Sequence, residues 1–410
     1  MKASARLVSP LVAGLRKLPR GALLAAGLTL GVGLPVQAQT CAAPQWPAWQ
    51  TFSERFVQAD GRVIESSLEA NHSTSEGQAY ALFFALVAND QARFEQIWRW
   101  SVANLSAGDP ATKLPAWLWG QGKDGLWRVQ DQNSASDADL WFVYALLEAA
   151  RLWQRADYQA DAERLLANIE AHEVVTLPGL GAMLLPGAVS FAQPDHLWRL
   201  NPSYLPLPLL RRLAKQHPAG PWAHVAKNTA SLLKQAAPKG LIADWVGYRG
   251  TSASSGIFVS DPFKGETGSY DAIRVYLWAG MTAATDPLAK SLLASLDGMA
   301  QATGVSGTPP ERVKVLSGAT EGSGPFGFSA ALIPYFHAQG QPWLAEIQQR
   351  KAEQGLAAAL ARGKTLRPAQ YYYDYALSLF GLGWAEQRYR FRDDGSVKLS
   401  WETACSATTP

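Results

Sequence analysis

Apolar residues recur at helical spacing in twelve segments of this chain, near 46–60, 75–89, 91–105, 136–154, 158–173, 202–217, 221–236, 269–285, 287–303, 329–338, 341–359 and 369–386. Starts at Ser, Thr, Asp or Pro and stops at Gly or Pro bound them, which is the punctuation of helices. Short and long connections alternate, as in a series of helical hairpins. Strand-like patches are few: 182–191, 241–248, 256–260 and 390–399. No Gly/Ser or Pro linker divides the sequence, and no internal repeat is visible. With 48% hydrophobic and 17% charged residues among 410, the chain can bury a large core, and global disorder is excluded. One all-α domain follows. Six hairpins closed in a ring, an (α/α)6 barrel with a few short strands in the connecting loops, is the economical arrangement for twelve helices. The long connections then line one mouth, where binding residues concentrate.

The first 38 residues stand apart. Five basic residues, Lys2, Arg6, Arg16, Lys17 and Arg20, precede an apolar run of 13 residues from Ala22 to Leu34, and Pro35-Val36-Gln37-Ala38 follows. That is the order of a secretory signal cut after Ala38. The run is shorter than the roughly 20 residues of a spanning helix. The expected layout is a signal at 1–38 and one domain at 39–410, periplasmic or secreted, with no stable membrane insertion after cleavage; an uncleaved anchor is the alternative. Without the leader, 32 basic face 34 acidic side chains. A nucleic-acid surface is therefore unsupported, as is attraction to a polyanion. The two cysteines, Cys41 and Cys405, lie near the ends of the mature chain. In an oxidising compartment they can form one disulfide, or remain two unrelated thiols. His-Glu-x-x-His, Cys-x-x-Cys, a phosphate-binding Gly-rich loop and Gly-x-Ser-x-Gly are all missing from the sequence, so neither a metal nor a cofactor is expected.

Three carboxylates open three apolar helices. Glu76 lies in Ser73-Thr74-Ser75-Glu76-Gly77, Asp137 in Ala135-Ser136-Asp137-Ala138-Asp139, and Asp271 in Ser269-Tyr270-Asp271-Ala272-Ile273-Arg274. Such residues can simply cap helices: Ser73-x-x-Glu76 has the capping-box spacing, and an acid in a first turn complements the dipole. Their company points elsewhere. Trp117, Trp119, Trp127, Trp141, Trp198, Tyr204 and Tyr270 lie around them, in a chain with sixteen Trp. Sugar rings present flat C–H faces that aromatic rings cover at low entropic cost. Glycosidic hydrolysis needs one protonated and one ionised carboxyl, and neither metal nor cofactor. Each Trp is also a candidate for the core; Tyr80 and Trp141 sit on apolar helical faces.

The block Ala135-Ser136-Asp137-Ala138-Asp139 resembles the signature of glycoside hydrolase family 8. Ser75-Glu76-Gly77 and Tyr270-Asp271-Ala272-x-Arg274 resemble two further blocks of that family, in the same order. Asn201-Pro202-Ser203-Tyr204 resembles a fourth, and Tyr371-Tyr372-Tyr373-Asp374 a C-terminal one. The resemblance is strongest to endoglucanases made alongside bacterial cellulose synthase. It implies an (α/α)6 barrel and inverting cleavage of a β-1,4-glucan chain such as cellulose. Carried over, Glu76 is the general acid and Asp271 the general base, roughly 6.5–9.5 Å apart. Asp137 holds the sugar at the cleavage subsite, Arg274 orients Asp271, and Tyr204 lies near the attacking water. Glu266 is a rival for the base. Expected glucan contacts are Trp119, Tyr204, Tyr270 and Tyr372, with Trp117 and Trp198 in reserve; Tyr373 can exchange with Tyr372. Other substrates on the same fold are xylan, mixed-linkage glucan and chitosan. A non-catalytic glycan-binding part of the cellulose secretion machinery and a polysaccharide lyase are the rivals from other classes. Association with the synthase machinery is the expected partnership.

Overall fold

The computed structural model describes residues 45–65, 71–362 and 371–402. The expected signal at 1–38 and both Cys41 and Cys405 lie outside these residues. Thirteen α-helices are present among them: α1 (Pro47–Phe56), α2 (Ser75–Val87), α3 (Gln91–Leu105), α4 (Ser136–Trp153), α5 (Ala156–His172), α6 (Leu207–Gln216), α7 (Trp222–Ala236), α8 (Ala272–Met281), α9 (Ala289–Ala294), α10 (Gly298–Ser306), α11 (Phe326–Ala338), α12 (Pro342–Arg362) and α13 (Tyr372–Ala385).

Their contacts close the expected (α/α)6 ring. The hairpins are α2 with α3, α4 with α5, α6 with α7, α8 with α9, α11 with α12, and α13 with α1. The first helix of each pair packs on the next such helix around an inner circle. Phe380 of α13 closes it, packing edge-to-face 4.6 Å from Phe84 and 5.3 Å from Tyr80 of α2. Composition decides which helix goes inside. On α2 every residue but Glu76 is buried, and α8 is buried along its whole length. An apolar surface on all sides needs neighbours on all sides. The outer helices α3, α5 and α12 bury one stripe only.

Glycines set two of the inner spacings. A Cβ on Gly280 would lie 2.2 Å from the Tyr335 nitrogen, and one on Gly381 would lie 1.9 Å from the Ala330 oxygen. α8 and α13 thus approach α11 at backbone distance.

The strands lie in the connections. Antiparallel sheets form from β1 (Ser73–Thr74), β2 (Leu118–Gln121) and β3 (Trp127–Asp131); β4 (Val174–Leu177) and β5 (Gly181–Leu184); β6 (Ala192–Gln193), β7 (Leu197–Leu200), β8 (Val246–Ser252) and β9 (Ser255–Ser260); β10 (Thr267–Gly268), β11 (Arg312–Lys314) and β12 (Thr320–Glu321); and β13 (Tyr389–Phe391) with β14 (Val397–Leu399). β1 runs into α2, and β10 leads into α8, so these sheets border the helix starts that carry Glu76 and Asp271. The β13–β14 hairpin covers the other ends of α2 and α4. Tyr144 donates to the Gly395 carbonyl at 2.8 Å, and Trp401 to that of Leu86 at 3.3 Å.

Three sequence expectations need correction. The segment 287–303 is two helices, α9 and α10, because Gly298 meets Gly240 there: its N–H donates to the Gly240 carbonyl at 3.1 Å. The segment 202–217 opens with a 3-10 turn, Pro202–Tyr204, and α6 begins only after Pro206. β1 to β4, β6, β7 and β10 to β12 fall outside the strand-like patches, being too short to show alternation.

Candidate active site

Capping, the plain role of an acid at a helix start, falls largely to other groups. On α2 the N-cap is Thr74, whose Oγ1 accepts the Gly77 N–H at 3.1 Å. Ser73 instead accepts from Arg62 at 2.8 Å, so the capping box is not formed. Asp271 stands at the N-cap of α8 without a side-chain cap bond. Its place is taken by Asp244, whose Oδ1 accepts the N–H groups of Ser269 (2.7 Å), Asp271 (3.1 Å) and Ala272 (2.8 Å). Asp137 accepts the Ala138 N–H at 2.9 Å through Oδ1, leaving Oδ2 to face Tyr80 at 3.5 Å. Asp137 Oδ2 and the Asp271 carboxyl are thus left to side-chain partners.

Arg274 ties two of them together. Its Nη2 lies 3.0 Å from Asp271 Oδ1, 3.6 Å from Asp137 Oδ2 and 2.9 Å from Ser203 Oγ. Ser203 donates to Asn201 Oδ1 at 2.7 Å, and Asn201 Nδ2 donates to Asp271 Oδ2 at 3.2 Å. Both oxygens of Asp271 are therefore held by side-chain donors, one of them charged. Glu76 has other surroundings. Trp117 Nε1 donates to its Oε1 at 3.2 Å, and Ser75 Oγ to its Oε2 at 3.3 Å.

The electrostatics separate the carboxyls. Burial, then the neighbouring Asp137 charge, push the Glu76 carboxyl well above the usual range, against the opposing pull of Arg274. Burial also pushes Asp137 up to about 6, with Arg274 acting the other way. The Tyr204 phenol is raised well above its ordinary value by burial and by the charges of Asp137, Glu76 and Asp271. It stays protonated among three acids, with Arg274 5.9 Å from its ring centre.

The expected aromatic contacts divide. Trp117 and Tyr270 are exposed beside Glu76 and Asp271. Tyr270 also packs 5.1 Å from Phe328. Trp119 stands inside a cluster with Trp100, Trp127 and Arg62, and Trp127 is the ring of that cluster more open to solvent. Tyr372 needs correction: it is buried against Phe52 and Phe56. Tyr373 takes the groove position, donating to the Tyr270 carbonyl at 2.5 Å and receiving Arg274 Nη1 at 3.3 Å. Trp198 needs correction as well. It pairs across the sheet with Tyr248, on the face opposite to Arg199 by strand alternation. Arg199 lies 4.7 Å over Trp245, whose ring stacks 5.8 Å from Phe191 and lies 6.4 Å from Tyr204. Trp245 is an aromatic neighbour of Tyr204 that sequence reading missed; it stands immediately before β8. Glu266, the rival base, accepts the Leu316 N–H at 2.9 Å and lines a pocket with Ala243, Phe258 and Trp245.

A ring of helical hairpins whose inner helix starts carry a carboxyl pushed toward its acid form, an arginine-held carboxyl and nearby aromatic rings has the build of a glycoside hydrolase. Residues 26–387 match the family described as Glycosyl hydrolases family 8, and the chain belongs to that family. An endoglucanase of Pseudomonas fluorescens (strain SBW25) is 53% identical over 394 residues, 94% of this chain and 98% of its own. An endoglucanase of Escherichia coli (strain K12) is 42% identical over 365 residues, 89% of this chain and 94% of its own. The crystal structure of an endo-1,4-D-glucanase from Vibrio fischeri ES114 superposes with a TM-score of 0.80 at 39% identity, covering 87% of this chain and 100% of that one.

Proposed function

We propose that this hydrolase is an endo-β-1,4-glucanase that cleaves internal bonds of cellulose chains with inversion. The observation that carries the reading is the split between two carboxyls: Glu76 is held as the acid by burial and Asp137, while Asp271 is held by Arg274 and Asn201. Glu76 gives its proton to the glycosidic oxygen as the bond to the anomeric carbon breaks. Asp271 takes a proton from a water that attacks that carbon from the opposite face. Asp137 binds a hydroxyl of the sugar at the cleavage point, and the protonated Tyr204 hydroxyl steadies the water. Inversion requires carboxyl oxygens roughly 6.5–9.5 Å apart. Trp117, Tyr270, Tyr373 and Trp245 offer ring faces along the glucan path. The relatives named endoglucanase support the substrate class.

Residues 1–38 are proposed to direct export to the periplasm or beyond, and the biological setting is proposed to be bacterial cellulose synthesis, on the strength of the sequence resemblance. Among the described residues no helix is long and apolar enough to cross a membrane.

The test is reducing-end release from carboxymethyl cellulose by the parent and by Glu76→Gln, with NMR of the first-formed anomer. Activity in the parent alone, yielding the α-anomer, is expected. Equal activity in the two proteins would remove Glu76 from the chemistry. A β-anomer product would exclude inversion. Hydrolysis of xylan or chitosan with none of cellulose would overturn the substrate.

A further inference from the structure

Asp139 lies two residues beyond Asp137 on α4. Such a pair points to nearly opposite sides of a helix, and Asp139 accordingly turns away from the groove, toward the end of α5. There it meets Glu173, the C-cap residue of that helix. Both side chains are fully buried. Glu173 Oε1 accepts the Ser134 hydroxyl at 2.5 Å, and Ser134 Oγ in turn accepts the Ala188 N–H at 3.1 Å. The other three carboxyl oxygens, Glu173 Oε2 and both of Asp139, receive no donor among the described residues. The two carboxyls are within hydrogen-bond reach of each other.

Two facing carboxylates without a cation would repel and leave their oxygens bare. One proton removes both problems, because it neutralises a charge and supplies the missing donor. The Ser134 hydroxyl favours the anion on Glu173, so the proton belongs on Asp139. The other charged groups facing Asp139 are Asp137 on its own helix and Glu76 on α2, and Asp137 also faces Glu173. All are acidic and strengthen the hold on the proton. The backbone is braced at the same place: the Ser136 N–H donates to the Pro186 carbonyl at 3.0 Å, and the Leu185 N–H to that of Glu173 at 2.8 Å.

We propose that Asp139 and Glu173 are positioning residues that share one proton and through it clamp the first turn of α4, with Asp137, against the end of α5. The inference rests on the reading of Asp137 as the carboxylate that holds the sugar. It gives a task to the second acid of Ala135-Ser136-Asp137-Ala138-Asp139, which the hydrolysis itself does not use.

The first measurement is denaturant unfolding between pH 5 and 9 for the parent, Asp139→Asn and Glu173→Gln. Each amide keeps an N–H···O bond between the two sites but has no proton to lose. The parent retains a proton that the unfolded chain releases above about pH 4. Relative to either variant, its unfolding constant should therefore rise about tenfold per pH unit until that proton leaves. Parallel pH profiles in parent and both variants would overturn the shared proton, and Glu173→Gln decides the matter if Asp139→Asn does not fold. The second measurement is kcat and KM on soluble glucan. Asp139→Ala, which strips Glu173 of its donor, should lose about tenfold or more in kcat with a smaller change in KM, and Asp139→Asn should recover most of it. Full kcat in folded Asp139→Ala, or equal losses in the Ala and Asn variants, would overturn the positioning role. A parent inactive on every glucan would defeat the proposed activity, while the unfolding comparison would still decide the proton.

Discussion

At Glu76 two tendencies oppose each other. A helix start favours the anion, whereas burial and a neighbouring carboxylate favour the acid. The second pair wins, and the Glu76 carboxyl is raised well above its usual range. Glu76→Gln should lower kcat by about 10²–10⁴ without lowering Tm, since the amide removes a buried titrating group. A comparable fall in Tm would mean that the loss is structural. Arg274 makes the opposite case. It is buried and faces both Asp137 and Asp271, so Arg274→Met strands two acids and should destabilise by about 3–5 kcal/mol. Asp137, already raised to about 6, loses the charge that holds it down. The acid limb of kcat/KM should then move to higher pH; an unmoved limb would show that Asp137 does not govern it. These positions were legible in the sequence because each sits in a short motif at a helix start. Tyr372 and Tyr373 were not separable, since the turn into α13 decides which ring faces the groove. Trp198 was misplaced because the face of a short strand is not written in its own residues. Asp244 left no local signal: it acts on the start of α8 across 27 positions.

Among the elements, the inner helices were the most legible, because an apolar run with no polar face has one place to go. The outer ring was less so: α9 and α10 read as one helix until Gly298 is seen to meet Gly240 across the connection. The inner ring also reverses an ordinary propensity rule. Replacing a helical glycine by alanine normally gains about 1 kcal/mol. At Gly381 the added methyl would fall 1.9 Å from the Ala330 carbonyl oxygen, and neither backbone can yield without parting α13 from α11. Gly381→Ala should therefore cost about 1–3 kcal/mol net, read by denaturant unfolding. Activity should fall as well, because α13 carries Tyr373 beside Arg274. Gly304, with open space around its Cβ position, supplies the control. Gly304→Ala should stabilise or be neutral, and equal destabilisation at the two sites would refute the close-approach argument.

Taken as a whole, the molecule holds six of its acids in the protonated direction. Burial pushes Asp137, Asp244 and Asp374 up to about 6, and it raises Glu76 and the facing pair of Asp139 and Glu173 above the ordinary range. Each such group binds a proton more tightly folded than unfolded. Its contribution is complete below the unfolded value of about 4 and is lost as pH rises through the folded one. The acids shifted downward, Asp124, Asp157 and Asp394, lie in more exposed ion pairs, and their contribution is lost only as pH falls toward the strongly acid range. Between pH 5 and 8 the first set therefore prevails. A carboxyl raised from about 4 to about 6 loses roughly 1.4 kcal/mol between pH 5 and pH 8, and three such groups, Asp137, Asp244 and Asp374, lose roughly 4 kcal/mol together, so Tm should be higher at pH 5 than at pH 8 by about 5 °C. Scanning calorimetry across the range checks this, and a Tm that climbs with pH would refute it. The proposed catalysis asks for something else: Asp137 ionised to grip the sugar while Glu76 acts as the acid. That state exists only above about pH 6, where part of the stabilising protonation has already gone. The activity optimum should thus lie on the alkaline side of the stability optimum, because the burial that makes Glu76 an acid also charges the fold for every neighbouring carboxylate that ionises.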